Sequence, residues 1–516
     1  MHPIGTLRSF FTRRNLMRYI IAIDVGTTAV KAVCIDRETG KLTTGKADCE
    51  LYIPQLNYAE QDPQQLWDAV CTACRECVAK AQIDLAQIGG VVICAPWKNI
   101  IPLDADGNVL HRSMIWMDAR AIPQAAKLNK SMQTDGFTGQ DYFARLLWLK
   151  ETYPDIWNKA AHIVGLNCYF KYRATGNFYT ECGEDFIHTP NPTVQAHYDN
   201  IMRHCGFTEE DLAKFPPSLP STAVMGHVTD EAAAQLGLIP GLPVVGGFGD
   251  LNAITFGCGC IEDNMAHIYL GTSGWLCETK NERVPGYGRG HFTLDEKHEN
   301  TLFGIQTGGR AYDWLINQFY LGERKELGDA VFEFVNQEIA TVAPGCNGLI
   351  ATHWLGGELP PLAAKNAKAL FFNITDQHER KHFARAMLES ICFTHRLSLG
   401  YYIAAHGGRK PDSIRVVGGG AMSEAWMQMM ADILQIPVRV PANPRFVGTM
   451  GAYYCAMIGL GLARDYADAI ASQSLGEETV YTPNPDNFAV YDKNFSIYSK
   501  LYRTLKPLYD EINGVY

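Results

Sequence analysis

The length, composition and charge of the chain exclude several classes of protein. It has 516 residues, of which 47% are hydrophobic and 19% charged, with 47 Gly and 25 Pro. This composition is typical of a folded globular protein and excludes a disordered or collagen-like chain. Because single domains usually have roughly 100 to 200 residues, we expect two large domains or several small ones. The formal net charge of −10 lacks the basic excess that nucleic-acid binding requires, so nucleic acid is not an expected partner.

The cysteines indicate a reduced protein. The 15 Cys are an odd number and lie mostly in apolar segments, which predicts free thiols and a cytoplasmic location. Cys71, Cys74 and Cys77 have C-x-x-C-x-x-C spacing, but a fourth Cys followed by Pro, as in an iron–sulfur run, is missing. We therefore interpret them as one side of a helix that Asp62 caps.

Membrane and targeting segments are not expected. No apolar stretch reaches the roughly 18 to 20 residues that cross a bilayer. Residues 1–17 contain three Arg around an apolar patch that is too short for a signal-peptide core. We interpret residues 1–17 as an extension, either disordered or preceding the natural start at Met17; a transit peptide is the alternative.

The predicted elements alternate between strands and helices. Residues 19–36 read YIIAIDV, GTT and AVKAVCID, which predicts two strands joined by a polar tip. A long helix is predicted from Asp376, because Glu379 follows three residues later as in a capping box. Further strands are predicted at residues 91–94, 243–247 and 413–420. The alternation indicates an α/β protein.

One segment repeats the design of the first hairpin. Residues 266–278, AHIYLGTSGWLCE, again give an apolar strand, a Gly-Thr-Ser tip and a second strand. Two halves that open with the same element are implied. We place their boundary near residue 262, just after a stretch rich in Gly and Cys.

The two hairpin tips are candidates for phosphate binding. The chain has no G-x-x-x-x-G-K-[ST] loop. A glycine at a hairpin tip lets backbone amides approach phosphate, and neighbouring hydroxyls add donors. Each tip alone is also explained as a plain turn, but the matched pair predicts two loops that hold one nucleotide. The tip residues are Gly26, Thr27 and Thr28 in the first half and Gly271, Thr272 and Ser273 in the second.

Two further segments could complete a nucleotide site. Asp24 ends the first strand, where a carboxylate could hold Mg²⁺ directly or through water; the alternative is an Asp that caps a turn. Three glycines at 418–420 join a strand to a helix that Ser423 could cap. Such a turn can accept a ribose and base edge or phosphates, although tight strand-to-helix turns also need glycine for purely structural reasons.

Asp250 is a candidate catalytic base. It follows the glycine-rich segment GGFG at the end of a predicted strand. An exposed carboxylate there could take the proton of an incoming hydroxyl as phosphate arrives. Taken alone, this motif is better explained as a loop Asp that fixes its own turn.

The order of these segments resembles the FGGY carbohydrate kinases, with the xylulokinase branch closest. The resemblance runs from Met17 to the C-terminus. It implies two actin-like (ribonuclease H-like) α/β domains with an interdomain cleft: residues 18–262 on the sugar side and residues 263–516 on the ATP side. The segments that carry it are DVGTT, IWMDAR, GGFGD, YLGTS, RAMLESI and VVGGGAMSEAWMQMMADIL, followed by VYDKNFSIYSKLYRTLK.

The resemblance also implies roles for individual residues. Asp250 becomes the catalytic base, Asp24 the metal and phosphate residue, and the two tips the phosphate-binding hairpins. Trp116, Asp118 and Arg120 match the family's W-x-D-x-R, whose Asp and Arg support the sugar side or pair with each other. Glu389 matches a family helix and is interpreted as structural. Gly419, Gly420, Ala421 and Ser423 fall where the family holds the adenosine.

The sequence departs from xylulokinases at substrate positions. Trp97 and Lys98 occupy the places of the sugar-contacting Met and His, and Leu251 replaces the Asn that usually follows the catalytic Asp. The predicted substrate residues are thus Trp97, Lys98, Asp118 and Asp250. Lys98 could bind a sugar acid through its charge or a neutral sugar as a donor; alternatively it points to solvent or pairs with an acid such as Asp118.

The resemblance predicts an ATP-dependent kinase, with ATP and Mg²⁺, that phosphorylates a hydroxyl of a small sugar, in the first place a pentulose. The alternatives are another polyol or a sugar acid as substrate, an actin- or Hsp70-like ATPase, and a catalytically silent sugar sensor. The expected partners are the small substrate and a second copy of the chain in a homodimer.

Overall fold

The computed structural model describes residues 17–189, 192–280, 291–295, 297–359, 361–473 and 476–514. Its strands are β1 (Tyr19–Val25), β2 (Ala29–Asp36), β3 (Leu42–Asp48), β4 (Glu60–Gln61), β5 (Ile88–Cys94), β6 (Ile101–Leu103), β7 (Ser113–Met114), β8 (His162–Val164), β9 (Thr180–Glu181), β10 (Ser218–Leu219), β11 (Val224–His227), β12 (Pro243–Val245), β13 (Ala266–Leu270), β14 (Gly274–Lys280), β15 (His291–Thr293), β16 (Glu299–Ile305), β17 (Ile350–Thr352), β18 (Leu370–Phe372), β19 (Ile414–Val417), β20 (Val438–Val440) and β21 (Thr479–Tyr481).

The helices connect and cover these strands. They are α1 (Pro63–Ala81), α2 (Ile122–Met132), α3 (Tyr142–Thr152), α4 (Pro154–Lys159), α5 (Leu166–Thr175), α6 (Pro192–His204), α7 (Glu209–Leu212), α8 (Asp230–Leu236), α9 (Asp250–Gly257), α10 (Gly309–Phe319), α11 (Leu321–Leu327), α12 (Val331–Ala340), α13 (Arg380–Ala405), α14 (Glu424–Leu434), α15 (Val447–Gly459), α16 (Tyr466–Ser472) and α17 (Phe488–Asn513).

Two sheets of similar design organise the chain. The first has the order β11-β12-β5-β1-β2-β3, and the second β15-β16-β14-β13-β19-β20-β21. In each, a hairpin opens the sheet and its first strand pairs in parallel with a later strand, β1 with β5 and β13 with β19. Strand β5 is buried throughout, as its run of Ile and Val predicts for a strand covered on both faces. The predicted α/β class and the repeated opening hairpin are confirmed.

Helices from the end of the chain complete the first sheet. Buried side chains of β1, β2, β5 and α9 form one hydrophobic cluster with side chains of α15 and α16. Helices α9 and α15 cross closely at two glycines: a β-carbon on Gly257 would lie 1.8 Å from the Val447 carbonyl oxygen, and one on Gly451 would lie 1.8 Å from that of Ala253. Only glycine allows backbones to approach this closely. The division of the chain near residue 262 stays a prediction.

Two predicted boundaries need correction. Helix α13 begins at Arg380, and its cap is Glu379, which forms a capping box with His382; the prediction of a cap at Asp376 is wrong. The reason is local, because the backbone amide of Thr375 donates to Nδ1 of His378 at 2.9 Å and closes a turn before the helix. The strand predicted at 413–420 ends at Val417, and its glycines form a 3₁₀ turn at Gly419–Met422.

The predicted helix that carries three cysteines is confirmed. Cys71, Cys74 and Cys77 lie buried on α1, whose N-cap Asp62 accepts from the amides of Gln64 and Gln65. All 15 cysteines are free thiols. Within the described ranges, no helix is long and apolar enough to cross a membrane. The predicted extension lies, apart from Met17, outside the described residues.

Candidate active site

Asp24 lies near the end of the first strand of the hairpin, half-buried. The register places Lys31 of β2 directly opposite. Burial raises the pKa of Asp24 above its usual value, and the positive charge of Lys31 opposes this shift. At the start of α15, a β-carbon on Gly448 would lie 3.6 Å from Oδ2 of Asp24. The carboxylate thus sits between its own sheet and the close-packed helix pair.

The first tip is held by backbone hydrogen bonds. The amide of Gly26 donates to the carbonyl of Ala29 at 2.9 Å, and Nε2 of Gln61 donates to the carbonyl of Thr27 at 3.0 Å. Thr28 remains exposed at the tip. Its predicted contact with phosphate stays a prediction.

The second tip is anchored on the N-terminus of α10. The amides of Gly308 and Arg310 donate to the carbonyl of Thr272, each at 3.1 Å, and the amide of Gly309 donates to that of Gly271 at 2.7 Å. A β-carbon on Gly309 would lie 2.6 Å from the Gly271 oxygen, so glycine is required there. Sequence reasoning missed this glycine pair, although its position between a strand and a helical pattern was a usable signal.

The three-glycine turn lies beside the second tip. Because β13 and β19 are parallel neighbours, their carboxyl ends meet at the same edge of the sheet. Gly418 has φ of +98°, and a β-carbon there would lie 2.5 Å from the Leu270 carbonyl oxygen. Gly419, in contrast, faces open space, which leaves its backbone accessible to a ligand.

The end of this turn is fixed by Ser423. Its hydroxyl accepts from the amide of Trp426 at 3.2 Å and donates to Oδ1 of Asn336 at 2.8 Å. The predicted cap of α14 is therefore confirmed. Ala421 is buried and Gly420 is half-buried, so this part of the turn packs against the protein. The predicted contact of the turn with adenosine stays a prediction.

Asp250 is the first residue of α9 and is half-buried. Its Oδ1 accepts from the amide of Leu251 at 2.9 Å, which fixes the carboxylate. Burial, followed by the negative charge of Asp24, raises the pKa of Asp250 to about 6. A carboxylate with a pKa close to neutrality is well matched to proton transfer at physiological pH.

Tyr269 connects the two halves at this point. Burial raises its pKa, and the negative charges of Asp24 and Asp250 raise it further. The ring stacks on Trp275 with centroids 4.3 Å apart, and Tyr269 lies two residues before Gly271 of the second tip. The charges of both candidate carboxylates thus act on a residue at the base of the second hairpin. No pattern in the sequence pointed to Tyr269.

Trp97 and Lys98 lie next to the candidate base. Ala95 pairs with Gly249 in a β-bridge, and a β-carbon on Gly249 would lie 3.4 Å from Cβ of Trp97. Nζ of Lys98 lies 5.0 Å from the Trp97 ring centroid. Trp97 also packs on the hydrophobic cluster that contains Leu251, so the three departures from xylulokinases share one region.

An arginine that sequence reasoning missed holds the loop of Lys98. Lys98 has φ of +59°, which is uncommon for a residue with a side chain. Its carbonyl accepts from Nη2 of Arg145 at 2.7 Å. Arg145 is fully buried and also donates to the carbonyls of Met114 and Ile115. The buried guanidinium of Arg145 therefore stabilises this loop conformation through its hydrogen bonds to backbone carbonyls.

Asp118 and Arg120 form a buried ion pair. Oδ2 of Asp118 accepts from Nη2 of Arg120 at 2.6 Å and from the amide of Ala59 at 2.7 Å. The same Arg120 nitrogen donates to Oε1 of Glu60 at 2.6 Å. Of the alternatives for this pair, mutual pairing is observed; direct contact of Asp118 with substrate stays a prediction.

Glu389 has a structural role, as predicted. It is buried and its Oε1 accepts from the amide of Gly345, from Nε of Arg385 and from the hydroxyl of Tyr491. These contacts tie helices α13 and α17 to the loop that follows α12.

The donor set around Asp24 fits Mg²⁺. In the part of the chain that the structure describes, no group of three or more His, Cys, Asp or Glu is arranged to hold a metal ion. The other carboxylate near Asp24 is that of Asp250, whose pKa is raised by the negative charge of Asp24. Mg²⁺ is usually held by one or two carboxylates together with waters and substrate phosphates. Asp24 is thus suited to a magnesium ion that arrives with a nucleotide.

Comparisons with known proteins agree with the two-sheet design. The model of the N-terminal domain of the FGGY family of carbohydrate kinases matches residues 19–257, and that of the C-terminal domain matches residues 266–460. A xylulose kinase of Staphylococcus epidermidis is 26% identical over 487 residues, which are 92% of this chain and 94% of that protein. A gluconokinase of Bacillus licheniformis is 25% identical over 511 residues, 96% of this chain and 97% of that protein.

A solved structure shares the fold. The xylulose kinase of Lactobacillus acidophilus superposes with a TM-score of 0.82 at 24% identity, covering 96% of this chain and 99% of that one. The predicted pair of actin-like α/β domains is confirmed. With both family domains matched in order, this chain belongs to the FGGY family of carbohydrate kinases.

Proposed function

We propose that this carbohydrate kinase transfers the γ-phosphoryl group of ATP to a hydroxyl of a pentulose, as a xylulokinase does. The observation that carries the proposal is the placement of Asp250, fixed at the start of α9 with a pKa of about 6, beside Asp24 and the base of the second hairpin. Similarity to xylulose kinases over more than nine-tenths of the chain supports the choice of substrate.

The proposed mechanism uses the residues at their observed places. Asp250 accepts the proton of the substrate hydroxyl; the hydroxyl oxygen attacks the γ-phosphorus of ATP, and ADP leaves. Amides and hydroxyls of the two tips would surround the phosphates and stabilise the charge that develops on them. Asp24 would hold Mg²⁺, which neutralises phosphate charge when bound. The wall at 418–423 would accept the adenosine.

A sugar acid is the second candidate substrate. A gluconokinase is among the relatives at 25% identity, and Lys98 brings a cationic side chain to the place of a sugar-contacting His. A carboxylate could pair with that charge.

An ADP-release assay over a panel of substrates tests the proposed function. The panel consists of ketopentoses, hexuloses, pentitols, tetritols and aldonates, with ATP and Mg²⁺ and a blank without acceptor. We expect release that depends on acceptor and is fastest with D-xylulose. Acceptor-independent release would indicate an ATPase, and no release with any acceptor would indicate a silent sensor.

Substitution of the candidate base tests the mechanism. Asp250→Asn removes the proton acceptor and keeps the shape, so turnover should fall by about 10²- to 10⁴-fold while nucleotide binding, measured by calorimetry, is retained. Asp230→Asn is the matched control, because Asp230 is also the first residue of a helix but is exposed. Near wild-type turnover of Asp250→Asn would remove Asp250 from the mechanism.

A further inference from the structure

A small cavity adjoins the predicted sugar side of the active site. It lies behind Lys98, between the loop that carries Trp97 and the segment after β9. The polar or aromatic residues of its wall include Lys98, Asn99, Tyr142, Glu184, Asp185 and Phe186. Phe186 links the cavity to the site, because its ring lies 5.8 Å from that of Trp97. Neither Glu184 nor Asp185 is part of the predicted site.

The cavity wall contains buried oxygen atoms without hydrogen-bond partners. These are Oε1 and Oε2 of Glu184, Oδ2 of Asp185 and Oδ1 of Asn99. Glu184 and Asp185 are each 7% exposed, and Asn99 is 1% exposed. Buried polar atoms are nearly always paired, and unpaired ones are costly. Of these atoms, Oδ2 of Asp185 lies 3.5 Å from Nδ1 of His188, whereas no ion pair among the described residues joins Glu184 or Asn99. The amide oxygen of Asn99 accepts hydrogen bonds, and a carboxyl group accepts through its carbonyl oxygen in either protonation state. A donor such as a hydroxyl would therefore satisfy this wall.

The two carboxylates are held in place by the backbone. Oδ1 of Asp185 accepts from the amides of Ile187 and His188, at 2.8 and 2.7 Å, and its Oδ2 lies 3.5 Å from Nδ1 of His188. Glu184 packs against Gly165, where a β-carbon would lie 2.4 Å from Oε1. Any side chain at position 165 would therefore overlap the carboxyl group of Glu184.

Burial opposes charge on both Glu184 and Lys98. Burial, reinforced by the negative charge of Glu181, raises the pKa of Glu184 well above its usual value; the positive charge of Lys171 opposes this shift, and Asp250 adds to it. Burial lowers the pKa of Lys98 to about 8. A substrate carboxylate entering here would meet the same desolvation cost and two acidic neighbours. A neutral hydroxyl group carries no net charge, so it would not pay this desolvation cost or be repelled by the acidic neighbours.

We propose that Glu184 and Asp185 determine substrate specificity by accepting hydrogen bonds from the hydroxyls of a neutral polyhydroxylated sugar, and that they exclude sugar acids. The inference rests on the proposed kinase function and decides between its two candidate substrates. Lys98 then acts as a donor to a neutral sugar and not as the partner of a carboxylate.

Wild-type kinetics give the first test. We compare kcat/KM for neutral ketoses and polyols with kcat/KM for aldonates of equal carbon number. The expected result is at least a tenfold preference for a neutral acceptor. Preference for an aldonate would overturn this inference and leave the kinase function standing, whereas absence of turnover with every acceptor would overturn the kinase function itself.

Isosteric variants give the second test. Glu184→Gln and Asp185→Asn, singly and together, should raise the KM for the neutral sugar at least tenfold with the KM for ATP unchanged, and should narrow the ratio between neutral and acidic acceptors. Asp155→Asn, which makes the same change from carboxyl to amide at an exposed position, should leave that ratio unchanged. If the variants do not fold, Gly165→Ala displaces Glu184 and should have the same effect on KM. Kinetics equal to wild type in the folded variants would refute the proposal.

Discussion

At the residue scale, burial raises the pKa of both Asp24 and Asp250, but the charges next to them differ. The positive charge of Lys31 opposes the shift at Asp24, whereas the negative charge of Asp24 adds to the shift at Asp250. A negative neighbour makes a carboxylate a better proton acceptor, which agrees with the proposed role of Asp250.

The pKa of Asp250 predicts an acid limb in the rate profile. A base must be deprotonated to act, so kcat/KM for the sugar should rise with pH and reach half of its plateau near pH 6. Initial rates between pH 4.5 and 8 measure this, with circular dichroism at each pH to confirm that the fold is retained. Activity that stays constant down to pH 4.5 would contradict the assignment.

At the element scale, glycines decide how the supports of the site meet. The amides at the start of α10 hold the second tip, and the α15 helix that crosses α9 brings Gly448 close to Oδ2 of Asp24. At the second tip and at this helix crossing, the backbone of one segment packs directly against the backbone of another. Side chains are absent there because a β-carbon would overlap a carbonyl oxygen.

Adding one methyl group at the crossing should destabilise the protein. Gly451→Ala forces its β-carbon onto the Ala253 oxygen, and overpacking of this kind typically costs about 1 to 3 kcal/mol. Denaturant unfolding measures the loss, and activity should fall because α9 carries Asp250. Gly400→Ala is the control: it makes the same change within α13 where space is open, and should stabilise by about 0.5 to 1 kcal/mol.

The second tip should contribute to ATP binding through Thr272. Its carbonyl already accepts from the amides of Gly308 and Arg310, and its side chain is exposed. Thr272→Val keeps the shape and removes a donor, so ATP or its transition state should bind more weakly by about 1 to 3 kcal/mol if a charged phosphate is its partner. Sugar binding should change less. Thr43→Val in β3 is the control, and unchanged ATP kinetics of Thr272→Val would make the tip a simple turn.

At the scale of the whole molecule, the first sheet depends on the end of the chain. Helices α15 and α16 bury their apolar side chains in the same cluster as β1, β2 and β5. The chain therefore leaves the first sheet after α9, builds the second sheet, and returns to cover the first. The candidate site lies where these connections meet.

This return path predicts that the first half cannot fold alone. A fragment of residues 17–262 leaves the face of its sheet without α15 and α16, so it should lack a cooperative thermal transition and expose apolar surface to a hydrophobic dye. The same fragment joined through a flexible linker to residues 446–473 should regain cooperative unfolding. Cooperative unfolding of the 17–262 fragment by itself would contradict this prediction.

Local patterns were enough to predict the elements that carry the candidate site. The alternation of apolar strands around Gly-Thr-Thr and Gly-Thr-Ser predicted both hairpins, because side-chain periodicity and tip residues act over a few positions. Ser423 and Asp62 were predicted as caps for the same reason, since a cap bonds to amides two or three residues away. The cap of α13 was misplaced by three residues because Thr375 and His378 formed a competing turn.

The sequence by itself determined the α/β class, the two hairpins and the candidate roles of Asp24 and Asp250, since each depends on residues close together in the chain. Only the tertiary structure decided that Gly309 supports the second tip, that the charges of both carboxylates act on Tyr269, and that Glu184 and Asp185 line a cavity with Lys98. Those arrangements join segments far apart in sequence. Burial and backbone approach between such segments are set by packing, which local patterns do not encode.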